Sequence, residues 1–210
     1  MAAPARTIQQ RYWTLAEFLD TDFSPQYGEL PVELIDGLIV VDQAAPSHTH
    51  ARLTAEIGRA IGNAIERCGA TCFTESGSDI QIEGRFFGLK RDFVLIPDLQ
   101  VRCGSDAAGD GEPSLVVEVL SPSNTGKEIL LKLRAYMVLT TIRDILFVHQ
   151  DLMLVQHHRR NGDGTWTGPI SLEGSDAVLS IERLGLEMPL AVLYRNITLK
   201  PDEPVSPELS

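Results

Sequence analysis

Phe93-Val94-Leu95-Ile96-Pro97-Asp98-Leu99-Gln100-Val101 and Leu115-Val116-Val117-Glu118-Val119-Leu120 are the two stretches that decide the fold. Both are apolar, β-branched and short, which reads as buried strands. Each carries one carboxylate. Charged side chains are rarely buried unless they are paired or bound to a metal. Lys132 follows on the next helical stretch. Two acids on core strands with a lysine close behind form a candidate divalent-metal site.

Nearer the N-terminus, Thr14-Leu-Ala-Glu17 is a capping-box pattern opening a short helix through Leu19. Val32–Ile35 and Leu38–Val41 flank Asp36-Gly37, a strong β-hairpin signal. Ser47 caps a long helix to about Arg67, whose Leu53, Ile57, Ile61 and Ile65 recur every four residues. Strands are expected near 71–75, 78–83, 93–102 and 114–120, with a polar loop over Gly104–Glu112. A helix from Thr125 to Leu139 comes next. Strands over Asp144–His149 and Leu152–Gln156, and a turn at Asn161-Gly-Asp-Gly164, complete the pattern. The expectation is one mixed α/β domain over 11–199, a flexible start over 1–10 and a disordered tail over 200–210.

The chain has 210 residues and 43% apolar content, enough for one full core. Its net charge of −11 argues against broad, nonspecific attraction to nucleic acid but leaves room for a local basic cleft. No run approaches the ~20 apolar residues of a membrane helix. No secretory signal is visible, so the three cysteines (Cys68, Cys72 and Cys103) are expected as reduced thiols in the cytoplasm.

Phosphodiester hydrolysis needs an activated water and relief of extra negative charge on phosphorus. Mg²⁺ provides both and prefers hard oxygen ligands. Asp98 and Glu118 supply such oxygens, and the carbonyl of Val119 could add a third. Lys132 could orient water or offset charge. A bland reading competes. Glu128 and Lys132 are spaced i,i+4 as in a solvated surface pair. Asp98 could be a turn residue, and Glu118 could pair with an arginine.

Other signals are weaker. Ser121-Pro-Ser-Asn-Thr-Gly126-Lys127-Glu128 lacks the first glycine of a phosphate-binding loop and the hydroxyl that would hold the metal. Ser121 has no nucleophile elbow around it. His157 and His158 are adjacent and point to opposite faces of a strand. Arg159-Arg160 and Lys90-Arg91 could touch phosphates in a cleft, but with no longer basic stripe they read better as solvated loop charges.

Val32-Glu-Leu-Ile-Asp-Gly37, Pro97-Asp98, Glu118-Val-Leu-Ser-Pro-Ser123 and Lys132-Leu-x-x-Tyr136 together resemble the Uma-two family. These bacterial proteins are often labelled restriction endonucleases and belong to the PD-(D/E)xK nuclease-like superfamily. His50 also fits the family's pattern. The resemblance runs from about Tyr12 to Leu193. It implies a restriction-endonuclease-like fold, a central mixed sheet flanked by helices. It implies that Asp98 and Glu118 hold Mg²⁺, with Mn²⁺ able to substitute, and that Lys132 is catalytic. It implies Glu33 as an early acid assisting metal or water. The superfamily's lysine stands two residues after its second acid, where this chain has Leu120; Lys132 takes that role from the following helix. Glu128 stands where relatives more often carry aspartate. DNA is the implied substrate, and two sites across a duplex would make a homodimer. The competing reading is a non-catalytic interaction module on the same fold.

Overall fold

A computed structural model describes residues 6–8, 11–42, 46–86, 89–104, 111–122 and 124–199. The tail 200–210, most of the polar loop (105–110) and Ser123 lie outside the described residues. In chain order the elements are β1 (Arg6–Ile8), α1 (Leu15–Leu19), α2 (Ser24–Tyr27), β2 (Val32–Ile35), β3 (Leu38–Asp42) and α3 (His48–Cys68). Then come β4 (Cys72–Glu75), β5 (Ile80–Phe86), β6 (Leu89–Leu95), β7 (Leu99–Cys103), β8 (Glu112–Leu120) and α4 (Gly126–Val138). The chain continues through β9 (Asp144–His149), β10 (Leu154–Arg160), β11 (Trp166–Glu173), β12 (Val178–Ile181), a 3-10 turn (Glu182–Leu184), β13 (Leu186–Pro189) and α5 (Leu190–Leu193).

The expected mixed α/β architecture holds, with its strands divided between two main sheets. The first has five strands in the order β1-β3-β2-β6-β5, and the second has six in the order β11-β10-β9-β8-β7-β4. In the second, β8 and β9 run parallel while their outer neighbours are antiparallel. Parallel neighbours need a long crossover, and α4 supplies it.

Three apolar clusters hold the layers together. Leu53, Ile57 and Ile61 of α3 pack with Leu115, Val117 and Val119 on one face of β8. On the other face, Val116 and Leu120 meet Ala135 and Tyr136 of α4 and Ile35, Ile82, Phe93 and Leu95 of the first sheet. Leu15 and Phe18 of α1 cover the far side of that sheet at Leu34, Ile39 and Val41. Strand side chains alternate faces. Glu118 therefore shares its face with Val116 and Leu120 and points into the layer that holds α4.

The β2–β3 hairpin forms as its turn residues require. Asp36 and Gly37 both have positive φ, 55° and 78°, the geometry of a two-residue hairpin turn. A Cβ on Gly37 would meet Tyr12 at 3.1 Å and the Trp13 carbonyl at 3.3 Å.

Two sequence expectations are corrected. Residues 93–102 are not one strand. β6 ends at Leu95 in the first sheet and β7 begins at Leu99 in the second, so Asp98 lies in the passage between sheets and not on a strand. Pro97 has no N–H to donate and disfavours a regular ladder at this point. The apolar run is continuous because both sheets bury it. Nor are all three cysteines free thiols. The β4–β7 register sets Cys72 opposite Cys103, and the two form a disulfide across a sequence separation of 31; Cys68 is free. That neighbour relation is invisible before the register is known. Of the start over 1–10, Arg6–Ile8 form β1 and pair with β3, and residues 1–5 and 9–10 lie outside the described residues. Among the described residues, no helix is long and apolar enough to cross a membrane.

Candidate active site

The buried face of α4 carries Lys132, Ala135 and Tyr136, spaced i, i+3 and i+4 as one side of a helix demands. That face meets Glu118. Lys132 Nζ donates to Glu118 Oε2 over 3.2 Å and to Oε1 over 3.3 Å. It also donates to Glu33 Oε1 over 3.0 Å. The Tyr136 hydroxyl donates to Glu118 Oε1. Glu118 and Lys132 are each 7% exposed, and Tyr136 is fully buried.

Burial dominates the titration of Glu118 and raises its pKa. Lys132 opposes that rise, Glu33 and Asp98 add to it, and the carboxyl reaches about 7. For Lys132, burial alone would favour the neutral amine. The charges of Glu118 and Glu33 outweigh it and hold the ammonium above its usual range. The Tyr136 hydroxyl is pushed well up by burial and by the same acids, so it remains a donor.

Asp98 is fixed differently. Its Oδ2 accepts the Val119 N–H over 2.6 Å, and its Oδ1 lies 2.7 Å from His50 Nε2. Glu33 does the corresponding job on the other side of the break, accepting the Ile96 N–H at Oε1 over 2.8 Å. Backbone donors near the interrupted ladder are thus satisfied by the two acids singled out from sequence.

Glu33, Asp98, Glu118, Val119 and Lys132 are accordingly brought into one region where β2, β8 and α4 meet the passage between sheets. The surface-pair reading of Lys132 with Glu128 fails, because Lys132 is buried and bonded to Glu33 and Glu118. Glu128 instead lies 3.4 Å from the Asn124 amide at the start of α4. Sequence reasoning assigned no role to Tyr136, although its place four residues after Lys132 was the available signal. His50, singled out in sequence only as fitting the family's pattern, is joined directly to Asp98.

Among the described residues, no three His, Cys, Asp or Glu side chains close into a ready-made metal cage. Mg²⁺ does not require one, because it usually keeps several waters and takes one or two carboxylates. The donor chemistry fits that mode. Glu33, Asp98 and Glu118 present hard oxygens; burial first, and then the neighbouring Glu33 and Asp98 charges, raise the Glu118 pKa against the opposing Lys132 ammonium.

Comparison with known proteins places the chain. Residues 15–192 match the family Uma2, described as "Putative restriction endonuclease". An uncharacterized protein of Synechocystis sp. is 30% identical over 105 residues, 48% of this chain and 54% of that one. The match therefore spans about half the length of that relative. The crystal structure of a putative nuclease belonging to DUF820 from Anabaena variabilis superposes with a TM-score of 0.66. It covers 87% of this chain and 97% of its own at 16% identity, a likeness of fold alone. The family match runs through every site residue from Glu33 to Tyr136, and the chain belongs to the Uma2 family of restriction-endonuclease-like proteins.

Proposed function

We propose that the protein is a divalent-metal-dependent endonuclease that hydrolyses DNA phosphodiester bonds. One observation carries this reading: a buried lysine bridges Glu118 and Glu33 where Asp98 adds a third carboxylate. Asp98 and Glu118 would hold Mg²⁺, or Mn²⁺ in its place, through carboxylate oxygens, and Val119 through its carbonyl. A strand residue directs its N–H and C=O to the same edge, and the Val119 N–H is already bonded to Asp98. Bound there, the ion would polarise the phosphate and lower the pKa of a coordinated water.

The chain's own residues divide the remaining work. Lys132 keeps its proton at neutral pH, because two acids raise its pKa. It therefore acts as a fixed positive donor toward the negative charge that builds on phosphorus, and not as a general base. Glu33 holds the ammonium in place from the first sheet. Tyr136 holds the Glu118 carboxylate in one orientation. Glu118, with its carboxyl at about 7, must give up its proton to serve as a ligand.

A non-catalytic interaction module is the second reading. The net charge of −11 favours it, because such a charge opposes nucleic-acid binding. Calorimetric titration of Mg²⁺ and Mn²⁺ into wild type and Asp98→Ala separates the two. The nuclease reading expects binding by wild type that Asp98→Ala loses. No binding by folded wild type favours the module.

A further inference from the structure

Asp98 lies outside any strand, in the passage between sheets. No regular ladder position sets the direction of its side chain. Two side-specific bonds do so instead. The Val119 N–H holds Oδ2, and His50 holds Oδ1. A carboxylate that holds a metal ion must be deprotonated and only accepts hydrogen bonds, so in that state His50 Nε2, 2.7 Å from Oδ1, is the donor.

His50 is itself held firmly. It sits in the first turn of α3, where its backbone N–H donates to Ser47 Oγ over 3.0 Å. Ser47 Oγ donates to Gln150 Oε1 over 2.7 Å, tying that cap to the end of β9. The Thr54 hydroxyl donates to the His50 carbonyl over 3.0 Å. The contact therefore joins a rigid helix start to a carboxylate that has no rigid element of its own.

We propose that His50 is the positioning residue of this centre, fixing Asp98 in the orientation that a divalent ion requires. This rests on the metal-centre reading above and deepens it. Each carboxylate oxygen has a second lone pair, so both clamps are compatible with an ion on Asp98. Carboxylate ligands characteristically carry such hydrogen bonds from outside the coordination shell, and losing one typically costs 10–100-fold in metal affinity. His50 is not itself a ligand through Nε2, because that nitrogen is the donor to Asp98.

The test is a Mn²⁺ titration, followed by the paramagnetic signal of the free ion, on wild type and three variants. Glutamine can place an amide N–H where His50 Nε2 stands; asparagine is too short. The expected result is tight binding by wild type and about ten- to a hundredfold weaker binding by His50→Ala and His50→Asn. His50→Gln should recover most of the affinity, with thermal midpoints close to wild type throughout. If His50→Ala does not fold, the comparison of His50→Asn with His50→Gln decides. Equal Mn²⁺ affinity in wild type, His50→Ala and His50→Asn would overturn the inference and leave the metal centre standing. Weak binding by His50→Gln in step with lost stability would overturn it too, reducing His50 to a structural role. Wild type that binds no Mn²⁺ would remove the metal centre first, and this inference with it.

Discussion

Lys132 and Glu33 are joined across two layers of the fold: the α4 ammonium donates over 3.0 Å to a carboxylate on the β2–β3 hairpin of the other sheet. The same ammonium bridges both oxygens of Glu118 on β8. One side chain therefore ties together the crossover helix, the six-stranded sheet and the five-stranded sheet.

That relationship makes Lys132 a structural as well as a chemical residue. Lys132→Met leaves Glu118 and Glu33 facing each other with no buried cation. Removing one partner of a buried ion pair costs about 3–5 kcal/mol, and denaturant unfolding should read a loss of that order. Lys132→Met combined with Glu118→Gln should recover part of it, because the unpaired charge is gone. Additive losses in the double variant would contradict the coupling.

The Glu118 carboxyl sets a pH dependence. Its pKa is raised from 4.5 in the unfolded chain to about 7 in the fold. Between these values the folded protein holds the extra proton, so stability falls as pH rises. The contribution is fully present below about 4.5 and lost as pH rises through about 7. Glu118→Gln should flatten the stability curve in that window. Divalent-ion affinity should move the opposite way, increasing as pH rises through 7, because the ligand must be ionised.

Arg160 anchors the far end of α4. Its guanidinium donates to the carbonyls of Met137, Leu139 and Ile142 over 2.8–2.9 Å and lies 4.5 Å from the centre of the Trp166 ring. Arg160→Ala should cost about 1–3 kcal/mol and speed amide exchange in the last turn of α4. Arg160→Lys should not restore the loss, since one ammonium cannot reproduce the planar fork.

Asp144 provides a control remote in function. It accepts from His157 over 2.8 Å and from Arg183 over 2.8 Å at the start of β9. Burial would raise its pKa, but His157 and Arg183 outweigh burial and lower it. Its stability contribution is present above 3.8 and lost as pH falls through the lower folded value. Asp144→Asn should destabilise the protein by about 3 kcal/mol yet leave Mn²⁺ affinity unchanged while the protein stays folded.

Much of this was legible in sequence where local rules decide. Asp36-Gly37 specified its hairpin because the turn needs two positive-φ residues. Ser47 and the four-residue spacing of Leu53, Ile57 and Ile61 specified α3. Glu118 and Lys132 stood out because an acid in an apolar strand needs a partner. The unread parts depend on distant neighbours. The break at Ile96-Pro97-Asp98 was hidden in one apolar run buried by two different sheets. Cys72 meets Cys103 only through the β4–β7 register. Tyr136 was visible only as part of the Lys132-Leu-x-x-Tyr136 motif, and the partner of its hydroxyl, Glu118, is set by how α4 packs on β8.

If Glu33, Asp98, Glu118 and Lys132 form a metal-dependent nuclease site, strand cleavage must depend on both the ion and these side chains. The decisive assay is cleavage of supercoiled plasmid DNA with Mg²⁺ or Mn²⁺, with wild type beside Asp98→Ala, Lys132→Ala and the remote control Asp144→Asn. Wild type and Asp144→Asn should cleave, chelator should abolish that cleavage, and both site variants should lack it. Cleavage that persists in folded Asp98→Ala or Lys132→Ala, or that ignores chelator, would contradict that site.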